Sequence, residues 1–340
     1  MILSICIPTY NRTSHLNNCL NSIVIAKKKF KEFKFEVCIS DNNSKIDPFE
    51  IVKNYKKELD IVYKRNNKNL GFAYNAIQVV SMAKGEYSWL IGDDDLIMPN
   101  TFIYLNKILY SNIDKDFFFV NSCHLEASFL KDFPHPFNTD RVENKKMKKI
   151  SELKEDRSVK FLELIDPNVS WEFLTGIFLS IFKTKKWLNE AKSIDMEKII
   201  KPGTWSTLEN TFLHSIASMR AFKNSNAYIC SRPLSINLWG VREWGSLYEF
   251  VEIIRIPELL DYHRSQGLSF KNYFYCKNFS LRNFGSYIIK IIIGGETKGR
   301  HYLDFNKHIL KNMIFPNFYF SFVIVLFRKI FQLFTFKLKK

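Results

Sequence analysis

Three consecutive carboxylates, Asp93, Asp94 and Asp95, follow the apolar, aromatic run Tyr87-Ser88-Trp89-Leu90-Ile91-Gly92. Adjacent carboxylates repel one another, so the block is costly unless a cation or solvent offsets it. Hard oxygen ligands at a strand end suit Mg²⁺ or Mn²⁺, and either ion in turn holds phosphate oxygens. A solvated acidic turn is the competing reading, and an isolated triplet would favour it. The order of the elements upstream decides against that.

Residues 1–7 read as a short apolar strand that breaks at Pro8-Thr9-Tyr10-Asn11-Arg12. A helix is expected from about Thr13 or Ser14, either of which would cap it, with Leu16, Leu20 and Ile23 on one face. A second strand over 35–40 ends at Asp41-Asn42-Asn43-Ser44. A third, over 60–64, precedes Asn69-Leu70-Gly71, and the pattern over 72–82 is helical. Alternating strands and helices imply a parallel sheet, and such sheets bind ligands at the carboxyl ends of their strands. Thr9 to Arg12, Asp41 and the three aspartates all fall at those ends. A nucleotide diphosphate would meet an aromatic face in Tyr10, an acceptor for a base N–H in Asp41, and a metal on the aspartates.

Four segments, in order and at sensible spacing, resemble the family 2 glycosyltransferases of GT-A fold. They are Ile5-Cys6-Ile7-Pro8-Thr9-Tyr10-Asn11-Arg12, Ser40-Asp41-Asn42-Asn43-Ser44, Asn69-Leu70-Gly71-Phe72-Ala73-Tyr74-Asn75 and the run from Gly85 to Asp95. The Trp-Leu-Ile-Gly-Asp-Asp-Asp form is most similar to the abequosyltransferase-like branch, which builds bacterial surface polysaccharides. The resemblance covers about the first third of the chain. It implies a Rossmann-like, mostly parallel sheet flanked by helices. It also implies that Pro8, Thr9, Tyr10, Arg12, Asp41, Asn69, Gly71, Asn75, Asp93 and Asp94 bind the nucleotide-sugar, with Asp94 and then Asp95 as ligands of Mn²⁺ or Mg²⁺.

Two departures stand out. The family writes Asp-x-Asp-Asp before an apolar residue and a proline; aligned through Asp94-Asp95-Leu96-Ile97-Met98-Pro99, its first aspartate falls on Gly92. The ribose-facing place is then empty, or Asp93 takes it by a small shift. Further on, residues 173–182 resemble the strand beside the acceptor site, and a Glu-Asp pair at the next helix start is here Glu209-Asn210. Glu209 is therefore the candidate base, with His214 as a weaker substitute. A general base must ionise within hydrogen-bonding reach of the hydroxyl.

With 340 residues, 46% hydrophobic and 16% aromatic, the chain can bury a full core. The expected division is 1–240 as the glycosyltransferase domain, with 1–100 as its donor half and 101–240 as its acceptor half. Residues 241–340 would form a helical, basic and aromatic extension. The charge-rich stretch 138–160 reads as an exposed loop or frayed helix. Cys6, Cys19, Cys38, Cys123, Cys230 and Cys276 show no metal-type pairing, and reduced thiols are the simplest account. The N-terminal apolar run is the first strand, not a signal peptide.

Residues 314–327 lack charge but fall short of the roughly 20 residues that span a bilayer. Followed by Lys337, Lys339 and Lys340, they fit an interfacial helix on an anionic membrane. A terminal helix docked on protein is the alternative. The net charge of +16 has no nucleic-acid module beside it, so membrane attraction explains it better. The expected protein is an inverting, metal-dependent glycosyltransferase on the cytoplasmic face of a bacterial inner membrane, with a lipid-linked glycan acceptor and room for homo-oligomers. A catalytically weak member that binds glycan-assembly machinery is the alternative.

Overall fold

The computed structural model describes residues 2–201, 203, 205–240 and 243–337. Four strands, β1 (Leu3–Thr9), β2 (Phe35–Asp41), β3 (Ile61–Arg65) and β4 (Tyr87–Leu90), lie parallel in the order β3-β2-β1-β4. Every residue of β1, β2 and β4 is buried, which is why they read as continuous apolar runs. The crossovers are helices α1 (Thr13–Lys29), α2 (Phe49–Tyr55) and α3 (Gly71–Ser81). Helix α1 buries Leu16, Leu20 and Ile23 as its spacing predicts, and ends on Lys27, Lys28 and Lys29, the favourable charge for that pole. Neither Thr13 nor Ser14 caps it. Arg12 holds the N-cap position without a side-chain cap bond.

Beyond β4 the sheet is mixed rather than mostly parallel. It continues through β5 (Asp95–Ile97), β6 (Phe117–Glu126), β7 (Lys148–Lys149), β8 (Arg157–Lys160), β9 (Ser180–Lys183) and β10 (Asn226–Trp239). The full order is β3-β2-β1-β4-β9-β6-β10-β5, with β7 on β6 and β8 on β10. Strand β9 is antiparallel to both β4 and β6, and β5 is antiparallel to β10. The stretch 138–160 is therefore not loop throughout: its middle, β7, pairs with β6 and its end, β8, with β10. The six cysteines are free and buried, and Cys6 and Cys38 lie opposite one another on β1 and β2.

The chain divides into two units. One comprises Met1–Pro202 and Phe212–Arg242, the other Gly203–Thr211 and Glu243–Lys340. The expected boundary at 240/241 falls beside this division, but the second unit also takes in Gly203–Thr211. That unit is helical, with principal helices Ile256–Ser265, Phe270–Ser280, Phe284–Gly294 and Pro316–Lys337. At Gly285 a Cβ would come within 2.9 Å of the Phe322 backbone nitrogen, so glycine lets the last helix lie close. Burial would raise the Glu258 carboxyl, but His308, Arg255 and Lys307 together hold it down at about 2.

Candidate functional site

Strands β1 and β4 run side by side with Cys6 opposite Leu90, so the residues after both emerge at one edge. The aspartates do not continue β4, which stops at Leu90. They form a turn into β5: Gly92 N donates to Asp95 Oδ2 (2.7 Å), and Asp95 N donates to the Gly92 carbonyl (3.2 Å).

Each carboxylate then has a different fate. Asp93 is buried; its Oδ2 accepts from Thr9 Oγ1 at 2.7 Å and its Oδ1 lies 3.5 Å from Arg12 Nη1. Burial, helped by the neighbouring Asp94 charge, pushes its carboxyl up to about 7 against the opposing pull of Arg12 and Thr9. Asp94 keeps some exposure, and its Oδ2 accepts from Arg12 Nη1 at 2.8 Å. Asp95 is 1% exposed; one oxygen closes the turn and the other accepts from Asn237 Nδ2 at 2.8 Å. Asp95 is thus an anchor, and its expected place as a second metal ligand is withdrawn.

Gly92 explains itself. A Cβ there would lie 2.5 Å from Asp94 Oδ1, so a side chain at this position collides with the carboxylate. Asp93, tied to Thr9, is the residue that occupies the buried place beside Arg12.

No three His, Cys, Asp or Glu side chains converge among the described residues. Mg²⁺ is commonly held by one or two carboxylates plus substrate phosphates, so a single accessible carboxylate, Asp94, fits that donor set. Asp94, the more exposed, is the better placed to share an ion with a ligand.

The rest of the wall comes from β2 and the loop before α3. Asp41 has no exposed surface; it accepts from Ser44 N (3.1 Å) and the Ser44 hydroxyl, with Arg65 Nη1 at 3.6 Å. In this state its carboxylate closes a turn and does not face solvent. Asn11, at φ 57°, straps the Tyr10–Arg12 turn to that one: Asn11 N donates to Ser44 Oγ (2.7 Å) and Asn11 Oδ1 accepts from Lys45 N (2.8 Å). Pro8 is buried, while Tyr10 and Arg12 keep part of their surface. Asn42 Nδ2 donates to Asn69 Oδ1 (2.7 Å) and to the Gly71 carbonyl (3.2 Å). Gly71 sits at φ 84°, a conformation that glycine adopts without strain.

Asn75 is a correction. It is 2% exposed, its Oδ1 accepts from Ser40 Oγ (2.6 Å) and Asn66 Nδ2 (3.0 Å), and its Nδ2 donates to the Ser40 carbonyl (2.8 Å). Every polar atom of this amide is spent on packing α3 against the end of β2.

Residues 4–120 match the family described as glycosyl transferase family 2. The chain carries a family 2 glycosyltransferase domain. Over 116 residues it is 39% identical to abequosyltransferase RfbV of Salmonella typhimurium, covering 34% of each chain. Over 102 residues it is 30% identical to the poly(ribitol-phosphate) beta-N-acetylglucosaminyltransferase TarS of Staphylococcus aureus, covering 30% of this chain and 18% of that one. The chain thus matches about a third or less of the length of these relatives. In fold, the chain resembles TarS 1-349 of S. aureus in complex with UDP, with a TM-score of 0.56 at 17% identity, over 84% of this chain and 72% of that one. It also resembles the mannosyltransferase PcManGT of Pyrobaculum calidifontis in complex with GDP-Man and Mn²⁺, with a TM-score of 0.50 at 13% identity, over 86% and 75%. These likenesses establish the GT-A fold.

Glu209, the candidate base, belongs to the second unit and is half-buried at the start of the helix Leu208–Phe222. Its neighbour Asn210 has a structural task. Asn210 N donates to Thr207 Oγ1 (3.0 Å) and Thr207 N to Asn210 Oδ1 (3.1 Å), a reciprocal capping box.

His214 is no substitute base. Both its ring nitrogens are buried, and burial pushes its pKa down to about 4, against a weaker contrary pull from the Leu174 backbone. Between pH 6.5 and 4 the unfolded chain therefore binds a proton that the folded chain does not. Stability is full at neutral pH and falls as pH drops through that window, by at most about 3 kcal/mol. Urea melts at pH 7 and pH 4 should show that extra loss in the wild type and not in His214→Leu; parallel losses would contradict it.

Four polar residues of the site went unread in the sequence: Asn42, Ser44, Arg65 and Asn237. The polar run after Asp41 is a usable sequence signal for Asn42 and Ser44. Arg65 and Asn237 reach the site by strand pairing alone.

Proposed function

We propose that this chain is an inverting glycosyltransferase that moves a sugar from a nucleotide-sugar to a hydroxyl of a lipid-linked glycan, in the synthesis of bacterial surface polysaccharide or lipooligosaccharide. One observation carries the reading. Thr9, the last residue of β1, and Arg12 beyond it meet Asp93 and Asp94 after β4 within hydrogen-bonding range, at the carboxyl ends of parallel strands. Tyr10 offers a face to the nucleoside, Asp41 and its turn shape the base pocket, and Asn69 and Gly71 border it. Mn²⁺ or Mg²⁺, held by Asp94, would supply positive charge to the departing diphosphate. Arg12, already poised on both carboxylates, adds a fixed cation beside the same position.

Glu209 takes the proton from the acceptor hydroxyl as that oxygen attacks the anomeric carbon. The bond from that carbon to the diphosphate breaks, with inversion. Glu209→Gln should lower kcat by about a hundredfold with donor affinity unchanged, because a positioned base contributes on that order. Full turnover in this variant would move the base elsewhere.

A membrane-surface role belongs to the C-terminal unit. From Tyr319 to Phe327 the last helix carries no charge, and Phe320 (60%) and Phe327 (66%) are largely exposed. Ile293, near the end of the helix Phe284–Gly294, is 79% exposed. The helices Phe270–Ser280, Phe284–Gly294 and Pro316–Lys337 contain basic residues and no acidic ones, which complements anionic headgroups and opposes pairing with a like-charged copy. No single helix among the described residues is long and apolar enough to cross a membrane, which fits a helix lying in the interface. Lys339 and Lys340 lie outside the described residues. Co-sedimentation should be strong with phosphatidylglycerol-containing vesicles, weak with pure phosphatidylcholine, and lost in Phe320→Asp/Ile324→Asp. Equal sedimentation of that variant, or a dimer in solution that the variant disrupts, would overturn the assignment.

A further inference from the structure

A second polar group stands further along the same sheet, outside the aspartate site. Register places Asp95 of β5 opposite Asn237 of β10, Asn237 opposite His124 of β6, and His124 opposite Lys148 of β7. Residues directly opposite one another share a face, as the bond from Asn237 Nδ2 to Asp95 Oδ1 illustrates. Trp239, two residues beyond Asn237, therefore lies on that face as well.

Three observations meet there. Trp239 is 43% exposed at the end of β10, although indole is among the most costly groups to leave in water. Its ring centre lies 5.0 Å from that of His124, at 56°. His124 Nε2 in turn meets Glu172 Oε1 at 2.6 Å, and the Glu172 side chain keeps 32% of its surface. An uncovered aromatic face thus adjoins a carboxylate that is both held in place and open to solvent. Scattered surface aromatics are ordinary. One set beside a braced carboxylate, in register with the turn that carries the nucleotide-site aspartates, is not.

We propose that Trp239 and Glu172 form the platform for the acceptor sugar, a pyranoside, with His124 as the residue that positions Glu172. A pyranose ring has an apolar face of C–H groups and a rim of hydroxyls. The first stacks on indole and the second donates to a carboxylate, so the pair matches both halves of the ligand. His124 acts through Glu172: one ring nitrogen is engaged there and the other is buried, so neither reaches a substrate hydroxyl. This assignment rests on the glycosyltransferase reading, and names the chemistry of its second substrate.

Saturation-transfer NMR on the full chain, with methyl glucopyranoside, galactopyranoside, mannopyranoside and rhamnopyranoside as probes, tests it. At least one pyranoside should show saturated ring protons with the wild type. Trp239→Ala should abolish the effect, and Glu172→Gln should weaken binding about tenfold, as expected for one lost charged hydrogen bond. His124→Gln, which still donates to Glu172, should retain binding that His124→Ala loses; a merely structural histidine would not separate the two. Thermal shifts with nucleotide and Mn²⁺ are measured on the same variants and should be unchanged. If no pyranoside is saturated by the wild type, or Trp239→Ala retains the signal, the platform is wrong even where the nucleotide shift stands. If the nucleotide shift is absent and pyranosides still bind, the donor reading fails and the sugar site survives.

Discussion

Replacing Asp94 by asparagine should lower kcat/KM for sugar transfer about a thousandfold and leave the protein folded. The magnitude is that of losing one charged group aimed at the negative charge that develops on a leaving group. Asparagine keeps the shape of the side chain and can still accept from Arg12, but it cannot carry the charge that attracts a divalent ion. Stability should change little, because the substitution also relieves the repulsion between Asp93 and Asp94 and leaves Arg12 facing Asp93. Transfer, or donor hydrolysis where the acceptor is lacking, read beside a thermal melt separates these effects. Near-normal turnover would remove Asp94 from the site.

The second large effect is expected at Gly92. Resemblance to the Asp-x-Asp-Asp pattern makes Gly92→Asp look like a repair. Geometry says the reverse, since the new Cβ would begin 2.5 Å from Asp94 Oδ1. Either the turn moves or Asp94 leaves its place on Arg12, and a third carboxylate joins two that already repel. Gly92→Asp should therefore abolish transfer with little loss of stability, because the atom in the way is the end of the Asp94 side chain, which can turn aside only by leaving its place in the site. Gly92→Ala should show most of the steric share without the added charge. Enhanced turnover in Gly92→Asp would mean that Asp93 does not fill the family's missing position.

What the sequence made legible was the half of the fold built from long apolar runs. Strands β1 and β2 are buried on both faces, so their residues announce them, and the polar residues at their ends follow. The convergence of Thr9, Arg12, Asp93 and Asp94 was readable for that reason. Short strands were not. β5 has three residues and β7 two, too few for any period, and both exist through partners far along the chain. The anchoring of Asp95 by Asn237 bridges 142 positions, and no local pattern encodes it. Asn75 and Asn210 illustrate another limit. An asparagine at a helix start or in its first turns is equally apt for ligand binding, bridging and capping, and only the surrounding donors and acceptors decide. Asn210, one of the two departures from the family pattern, has an ordinary explanation in its capping box with Thr207.

Arg12, Asp93 and Asp94 are the proposed metal-assisted site for a nucleoside diphosphate. Thermal stability of the purified protein with UDP, CDP, GDP and dTDP, each with and without Mn²⁺, tests it most directly. One nucleotide should stabilise the protein by about 2.7 kcal/mol at a hundredfold excess over Kd. The gain should require the metal and vanish in Asp94→Asn. A shift with no nucleotide at all, or one that persists undiminished in Asp94→Asn without metal, would contradict the account.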